Sequence, residues 1–387
     1  MTLFVFIVVV ILVLLILNRW LSGADMSYLD QTQPRPIMGE PPSDESAAVA
    51  ALVKTFTSAS KGKGGLGRSR ITAMRETMDA IGNDREYVSE IRPCSTAEID
   101  APRAPIFALK RSKVPASVSA PAGEWVLAPG YDPARRLLYI HGGAFMAGSP
   151  KSHRIITDKL SRVSGAAVFA VDYRLMPEHS REAMREDCAG AYRWLLDNGP
   201  EGPAALTSIA IAGDSAGGCL TLGTLAYAKA EGWRAPNAAI AISPVTDMTL
   251  TTPSVYYNRH TDLLLGPAFG QVIRQPAMLR NLASALLTRR SPASPVLSPL
   301  RGDLSGLAPT LIQVSTHEML FDDAHRYYQR ATAAGSPTTL QCFANMVHVW
   351  HMFSPQLPEA EFAFEQIKTF LADCGCIADV DLKDSAA

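Results

Sequence analysis

Short, continuously apolar runs alternate along most of this chain with stretches of helical periodicity. The runs are residues 137–140, 167–171, 209–212, 239–242 and 311–314, and residues 152–163, 181–198, 216–231 and 322–334 read as helices between or after them. An apolar side chain at every position, rather than every second one, marks a strand buried on both faces. Alternation of such strands with helices predicts an α/β chain with a mostly parallel central sheet flanked by helices. The stretch from Thr246 to Pro309 breaks the rhythm. It holds Pro253, Tyr256, Tyr257, Pro267 and a helix-like 269–288, and it is too long for a plain crossover. It is predicted as an inserted cap at about 246–300, a lid over the strand ends.

Composition narrows the function classes. Lys+Arg number 36 against 37 Asp+Glu, so no basic field recruits a polyanion, and no nucleic-acid partner is expected. The 6 Cys include no C-x-x-C pair, which leaves zinc-ribbon and thioredoxin readings without support.

Residues 3–17 read LFVFIVVVILVLLIL, without one polar side chain. At ~1.5 Å rise per residue the apolar stretch from Met1 reaches roughly 25 Å, slightly short of a bilayer core. Trp20 and Leu21 extend it, with Trp20 suited to the headgroup level. The preferred reading is an uncleaved single-pass anchor. The alternative is a signal peptide cleaved after the small residues Ser22-Gly23-Ala24, with export of the rest. Arg19 follows the run and no basic residue precedes it, which favours the downstream domain on the cytoplasmic side. Beyond it, residues 22–42 are polar and Pro-rich, as a linker is. Residues 58–70 (SASKGKGGLGRSR) are Gly/Ser-rich and basic. They lack the G-x-x-x-x-G-K-[ST] spacing of a phosphate loop and read as a solvated loop rather than a lipid contact.

Two glycine-rich turns carry the chemistry. Gly213-Asp214-Ser215-Ala216-Gly217 joins the apolar run 209–212 to a helical stretch. This is G-x-S-x-G in the strand, turn and helix context that exposes a serine hydroxyl on a strained turn. Ile140-His141-Gly142-Gly143-Ala144-Phe145 follows another strand. Consecutive glycines allow backbone N–H groups to converge on one point, as an oxyanion hole requires. Gly142, Gly143 and Ala216 are the predicted donors.

Together HGGAF, VDYRLMPEH (171–179), GDSAGG (213–218) and SPVTD (243–247) resemble the hormone-sensitive-lipase-like esterases, bacterial family IV, over roughly residues 71–371. The chain departs from the commonest oxyanion motif at Ala144, where a third Gly is usual. The resemblance implies an α/β-hydrolase fold with a helical cap built partly from the N-terminal segment, and hydrolysis of carboxylic esters without metal or cofactor. The domain expectation is then 1–24 as anchor or signal and 25–70 as linker and possible cap segment. A catalytic domain follows at 71–376, and 377–387 is a tail.

In this fold the acid and the base follow the nucleophile in the order Ser, acid, His. Among 8 His, His348-Val349-Trp350 matches the family pattern for the base, with His351 as its neighbour. His317-Glu318 does not make a metal-binding H-E-x-x-H, since Phe321 stands where the second His would be. The loop after strand 311–314 commonly reads D-P-L-x-D in the relatives. Matching it to Glu318-Met319-Leu320-Phe321-Asp322 makes Glu318 the acid, with Asp322 as runner-up and more naturally a helix start. The expected activity is a serine carboxylesterase that cleaves short- to medium-chain acyl esters through an acyl-enzyme. An amidase or deacetylase on the same residues, or a catalytically silent binding module, are the alternatives.

Overall fold

A computed structural model describes residues 2–30, 37–39, 42–59, 68–83, 85–94 and 121–377. The central part of the basic 58–70 stretch and the 377–387 tail beyond Ile377 lie outside these residues. The chain divides into two compact units, residues 66–240 with 363–387, and residues 1–65 with 241–362.

In the first unit the strands Ser208–Asp214, Asp132–Ile140, Ala166–Val171, Gly123–Leu127 and Glu90–Cys94 lie side by side in that order. The first three are parallel to one another, and the last two pair antiparallel. Ser208–Asp214 and Ala166–Val171 are buried at every residue, as the apolar runs 209–212 and 166–171 within them require. Parallel neighbours need crossovers, and helices Arg154–Ser164 and Arg181–Leu195 supply them. The first stops at Gly165 with φ 61°, a left-handed cap that suits glycine. The second starts at Ser180, whose side chain accepts from the Ala183 N–H, a strong N-cap. The two antiparallel strands have no counterpart in the sequence reading. Glu90–Cys94 is an edge strand with Pro93 and charged residues, which hides it from an apolar-run criterion.

The second unit holds the parallel strands Ile37–Met38, Thr338–Phe343 and Thr310–Ser315. Strand Ala238–Ile242, buried throughout, runs across the chain boundary between the units. The stretch after it folds into helices Pro253–Tyr257, Leu265–Ile273 and Ala277–Thr288. The helix expected as a single 269–288 is broken, because Pro276 is the N-cap of Ala277–Thr288 and cannot continue the preceding helix. Val255, Ile273 and Met319 form a buried apolar cluster with Leu250 and Leu265 against it. Arg280 is buried and donates to the Ile273 and Leu250 carbonyls and to the Tyr256 hydroxyl. The buried guanidinium thus satisfies the last carbonyl of helix Leu265–Ile273, which has no acceptor role within its own helix, and ties that helix end to the Leu250 loop.

The N-terminal apolar helix spans Thr2–Ser22. Its length and composition suffice to cross a membrane. Its far end is built into the second unit. Leu21 is fully buried, Gly23 stops the helix at φ 66°, and Arg301 donates to the Ala24 carbonyl. The Asp30 carboxylate accepts from both ends of the Arg326 guanidinium fork, at 2.6 and 2.7 Å.

Candidate active site

Strand Ser208–Asp214 runs directly into helix Ser215–Ala230. The turn between them forces Ser215 to φ 52°, a left-handed conformation that costs a non-glycine residue roughly 1–2 kcal/mol. The flanking glycines are sterically required. A Cβ at Gly213 would lie 2.5 Å from Thr221 Oγ1 and 2.6 Å from the Ile140 carbonyl oxygen, and one at Gly217 only 2.0 Å from that same oxygen. The elbow therefore packs directly on the His141–Gly143 loop. Ala216 sits in the first turn of the helix, where backbone N–H groups have no intrahelical acceptor and the helix end is electropositive.

The loop after strand Asp132–Ile140 adopts left-handed conformations in sequence, Gly143 at 118°, Ala144 at 54° and Phe145 at 65°. Here one expectation is corrected. The Gly142 N–H donates to Asp214 Oδ1 at 2.9 Å, so it is turned into the protein and is not an oxyanion donor. The role of Gly142 is close approach, since a Cβ there would lie 2.1 Å from Asp214 Oδ2. Among the described residues none accepts a hydrogen bond from the N–H of Gly143 or Ala144. Two further contacts hold the loop in place. Tyr173 donates to the His141 carbonyl and stacks on its ring at 4.2 Å. Arg75 donates to the Met146 carbonyl at 2.7 Å and pairs with Glu178.

Asp214, the variable position of the elbow motif, is the hub of this arrangement. Besides Gly142 it accepts from the Tyr139 hydroxyl at 2.6 Å, and His153 Nε2 lies 3.4 Å away. Burial pushes its carboxyl up, but His153 and the Tyr139 hydroxyl outweigh that and hold it at about 2. His141 is held neutral, lowered to about 3 by burial and by His153.

The predicted acid and base come together in the other unit. Glu318 lies in the turn after strand Thr310–Ser315, and its Oε2 is 2.5 Å from His348 Nδ1. Its Oε1 accepts from the Ser243 hydroxyl and from the Ser315 N–H, both at 2.8 Å. Glu318 is fully buried and His348 almost so. Burial raises the Glu318 carboxyl above its ordinary value, while His348 pulls the other way. Because Nδ1 faces the acid, Nε2 is the imidazole nitrogen turned away from it. Asp322 does other work. Its Oδ2 accepts from the Ser254 N–H at 2.8 Å and the Tyr257 hydroxyl at 3.0 Å, near the two ends of helix Pro253–Tyr257. His351, the neighbour of the base, pairs through Nε2 with Gln313, which in turn donates to Gln341.

Comparison with known proteins gives this constellation a family. A family model described as an alpha/beta hydrolase fold matches residues 137–352. An acetyl-hydrolase from Streptomyces hygroscopicus is 40% identical over 249 residues, 64% of this chain and 78% of its own length. A crystal structure of an esterase from the bacterial hormone-sensitive lipase family superposes with a TM-score of 0.68 at 31% identity, over 86% of this chain and 98% of that one. EstE5, in a crystal soaked with p-nitrophenyl butyrate, superposes with the same TM-score of 0.68 at 31% identity, over 86% and 99%. The chain belongs to the hormone-sensitive-lipase-like serine carboxylesterases of the α/β-hydrolase superfamily.

Ala144 and Glu318 are the site positions at which the resemblance to the family motifs is imperfect. Both are accommodated: Ala144 takes a left-handed backbone, and Glu318 still reaches the imidazole. Sequence reasoning missed Asp214 and Ser243. An acidic residue inside a buried strand–helix turn was the available signal for Asp214. Ser243 has φ 47° and opens the SPVTD motif, whose position directly after a buried strand was the available signal.

Proposed function

We propose that Ser215 is the nucleophile of this esterase, His348 its general base and acid, and Glu318 the carboxylate that orients and stabilises the imidazolium. Ser215 Oγ attacks the ester carbonyl carbon as its proton passes to His348 Nε2. The tetrahedral oxyanion is held by the N–H groups of Gly143, Ala144 and Ala216, each good donor worth roughly 3 kcal/mol at the barrier. Collapse expels the alcohol, which takes the proton from His348, and leaves an acyl-enzyme on Ser215. Water then attacks the acyl carbonyl, giving a proton to His348, and the carboxylic acid leaves as Ser215 recovers its hydrogen.

The observation that carries this reading is the buried 2.5 Å contact between Glu318 and His348 Nδ1, the tautomer-fixing pair that such chemistry needs. The strained serine turn packed against a loop of left-handed residues supports the remaining roles. Short to medium acyl groups are the preferred substrates. The acetyl-hydrolase relative and the butyrate ester soaked into the EstE5 crystal support that range. A panel of p-nitrophenyl esters of rising acyl length tests it, with a maximum expected at or below medium chain length. Faster turnover of a matched anilide would instead favour amide hydrolysis.

The helix Thr2–Ser22 is read as a retained single-pass anchor, with the catalytic domain on the cytoplasmic side by the placement of Arg19. Burial of Leu21 and the hydrogen bond from Arg301 to Ala24 support retention, because cleavage near Ala24 would remove a packed segment. A native N-terminus at Asp25 would contradict it.

A further inference from the structure

Helix Ala277–Thr288 is apolar on the face it turns outward. Leu279, Leu286 and Leu287 are 54%, 72% and 61% exposed, and Ala283 between them is exposed too. Spacings of four, seven and eight residues from Leu279 place them on one side of a helix. The side facing away from the stripe, with Asn281 and Ala285, is buried, and Arg280 is buried at its margin. Single exposed leucines are ordinary, whereas a contiguous apolar stripe on a water-facing helix asks for a partner.

The neighbour of this helix says what that partner is. Helix Ala277–Thr288 packs against the end of the apolar helix Thr2–Ser22. Asn281 donates to the Ser22 hydroxyl at 3.3 Å, and the Ser291 hydroxyl donates to the Trp20 carbonyl at 2.5 Å. Gly23 allows this approach, because a Cβ there would lie 2.7 Å from the Ala293 Cβ and 2.6 Å from Arg301. The contact level is that of Trp20 and Ser22, about 4–8 Å beyond Leu17 at ~1.5 Å per residue. That is the depth at which a bilayer passes from acyl chains to headgroups. Trp20 itself is 53% exposed, the usual disposition of an interfacial tryptophan. Arg274 and Arg289 are exposed on either side of the leucine helix, where cationic groups suit lipid phosphates.

We propose that helix Ala277–Thr288 is an interfacial membrane helix. It lies flat on the bilayer that holds Thr2–Ser22, with Leu279, Leu286 and Leu287 in the acyl–headgroup boundary. The protein then touches the membrane twice, through a span and through a surface helix fixed to its end. The proposal rests on the anchor reading above, and its test separates the two.

The full-length protein is reconstituted in phosphatidylcholine/phosphatidylglycerol vesicles carrying a phospholipid with a photoactivatable diazirine near the glycerol end of its acyl chain. After illumination, lipid adducts are mapped by peptide mass spectrometry. Adducts are expected on peptides from both Thr2–Ser22 and Ala277–Thr288, the latter about tenfold above peptides from helix Arg181–Leu195. Replacing Leu279, Leu286 and Leu287 by Gln, which keeps helix propensity, should return the second signal to background and leave the first unchanged. Adducts on Thr2–Ser22 alone, cross-links from Ala277–Thr288 to a second copy of the chain instead of to lipid, or labelling unaffected by the Gln variant would each overturn the surface helix. Absence of adducts from Thr2–Ser22 as well would overturn the anchor reading itself.

Discussion

The Nδ1 atom of His348 lies 2.5 Å from the carboxylate of Glu318, and the other oxygen of that carboxylate is fixed by Ser243 and the Ser315 N–H. The acid is thus held by its own strand end and by the residue that follows strand Ala238–Ile242. A longer side chain than Asp needs this bracing, because its extra rotatable bond would otherwise let the carboxylate swing away from the imidazole.

Replacing Glu318 by Gln should lower kcat by several orders of magnitude, by analogy with the ~10⁴-fold loss when a triad acid becomes an amide. The melting temperature should change little. Replacing Asp322 by Asn should cost stability through helix Pro253–Tyr257 rather than turnover. Steady-state kinetics and thermal melts on the two variants distinguish these outcomes, and the reverse pattern would move the acid to Asp322.

Ser243→Ala keeps a non-glycine residue at φ 47° and removes only the hydrogen bond to Glu318. A buried acceptor left without one donor costs about 1–3 kcal/mol. If that appears mainly in orienting His348, kcat should fall roughly ten- to hundredfold with KM nearly unchanged. An unchanged kcat would show that Ser315 alone suffices.

The oxyanion loop gives a paired prediction. Gly142→Ala would drive a Cβ to 2.1 Å from Asp214 Oδ2, and the displaced loop should cost ~10²-fold or more in kcat, the range seen for losing one oxyanion donor. Ala144→Gly instead relieves a left-handed alanine at φ 54° and should retain activity. Loss of activity in the second variant with tolerance in the first would contradict the assignment of donors to Gly143 and Ala144.

Asp323 is expected to make the stability of the fold depend on pH. It is buried beside Asp247, and burial first, then the Asp247 charge, push it up to about 7. Arg301 and Arg326 are the cations near this cluster, paired with Asp247 and Asp30. A carboxyl raised above its unfolded value binds its proton more tightly in the folded state. Its stabilising contribution is therefore complete at pH values below the ordinary carboxylate range and is lost as pH rises to about 7. Asp323→Asn can still accept from the Thr246 and Asp247 N–H groups. Relative to the parent, its melting temperature should rise progressively between pH 4 and pH 8. A constant difference across that range would show that Asp323 does not titrate there.

The parts of the fold legible in the sequence were those whose burial is symmetric. Strands such as Ala166–Val171 carry apolar side chains on both faces, so no tertiary knowledge is needed to see them. Glu90–Cys94 and Gly123–Leu127 pair at an antiparallel edge, where alternation is weak and only the neighbour identifies the strand. Ser215 was legible because its glycines are sterically forced. Glu318 and His348 stand out in the sequence only through the resemblance to a family pattern, and their contact belongs to the fold. The orientation of the Gly142 N–H was not legible at all. Consecutive glycines permit convergent donors but do not say which amide turns outward, and here Asp214 decides. The docking of Trp20–Ala24 likewise depends on Arg301 and helix Ala277–Thr288, far away in sequence.

The identity of the nucleophile is the central claim, and covalent capture tests it most directly. The full-length esterase is treated with a fluorophosphonate probe, and the adduct is located by tandem mass spectrometry in parent and Ser215→Ala proteins. The expected result is a single adduct on Ser215 in the parent and none in the variant, with ester hydrolysis lost in step. An adduct on another residue, or equal labelling of the variant, would contradict the account.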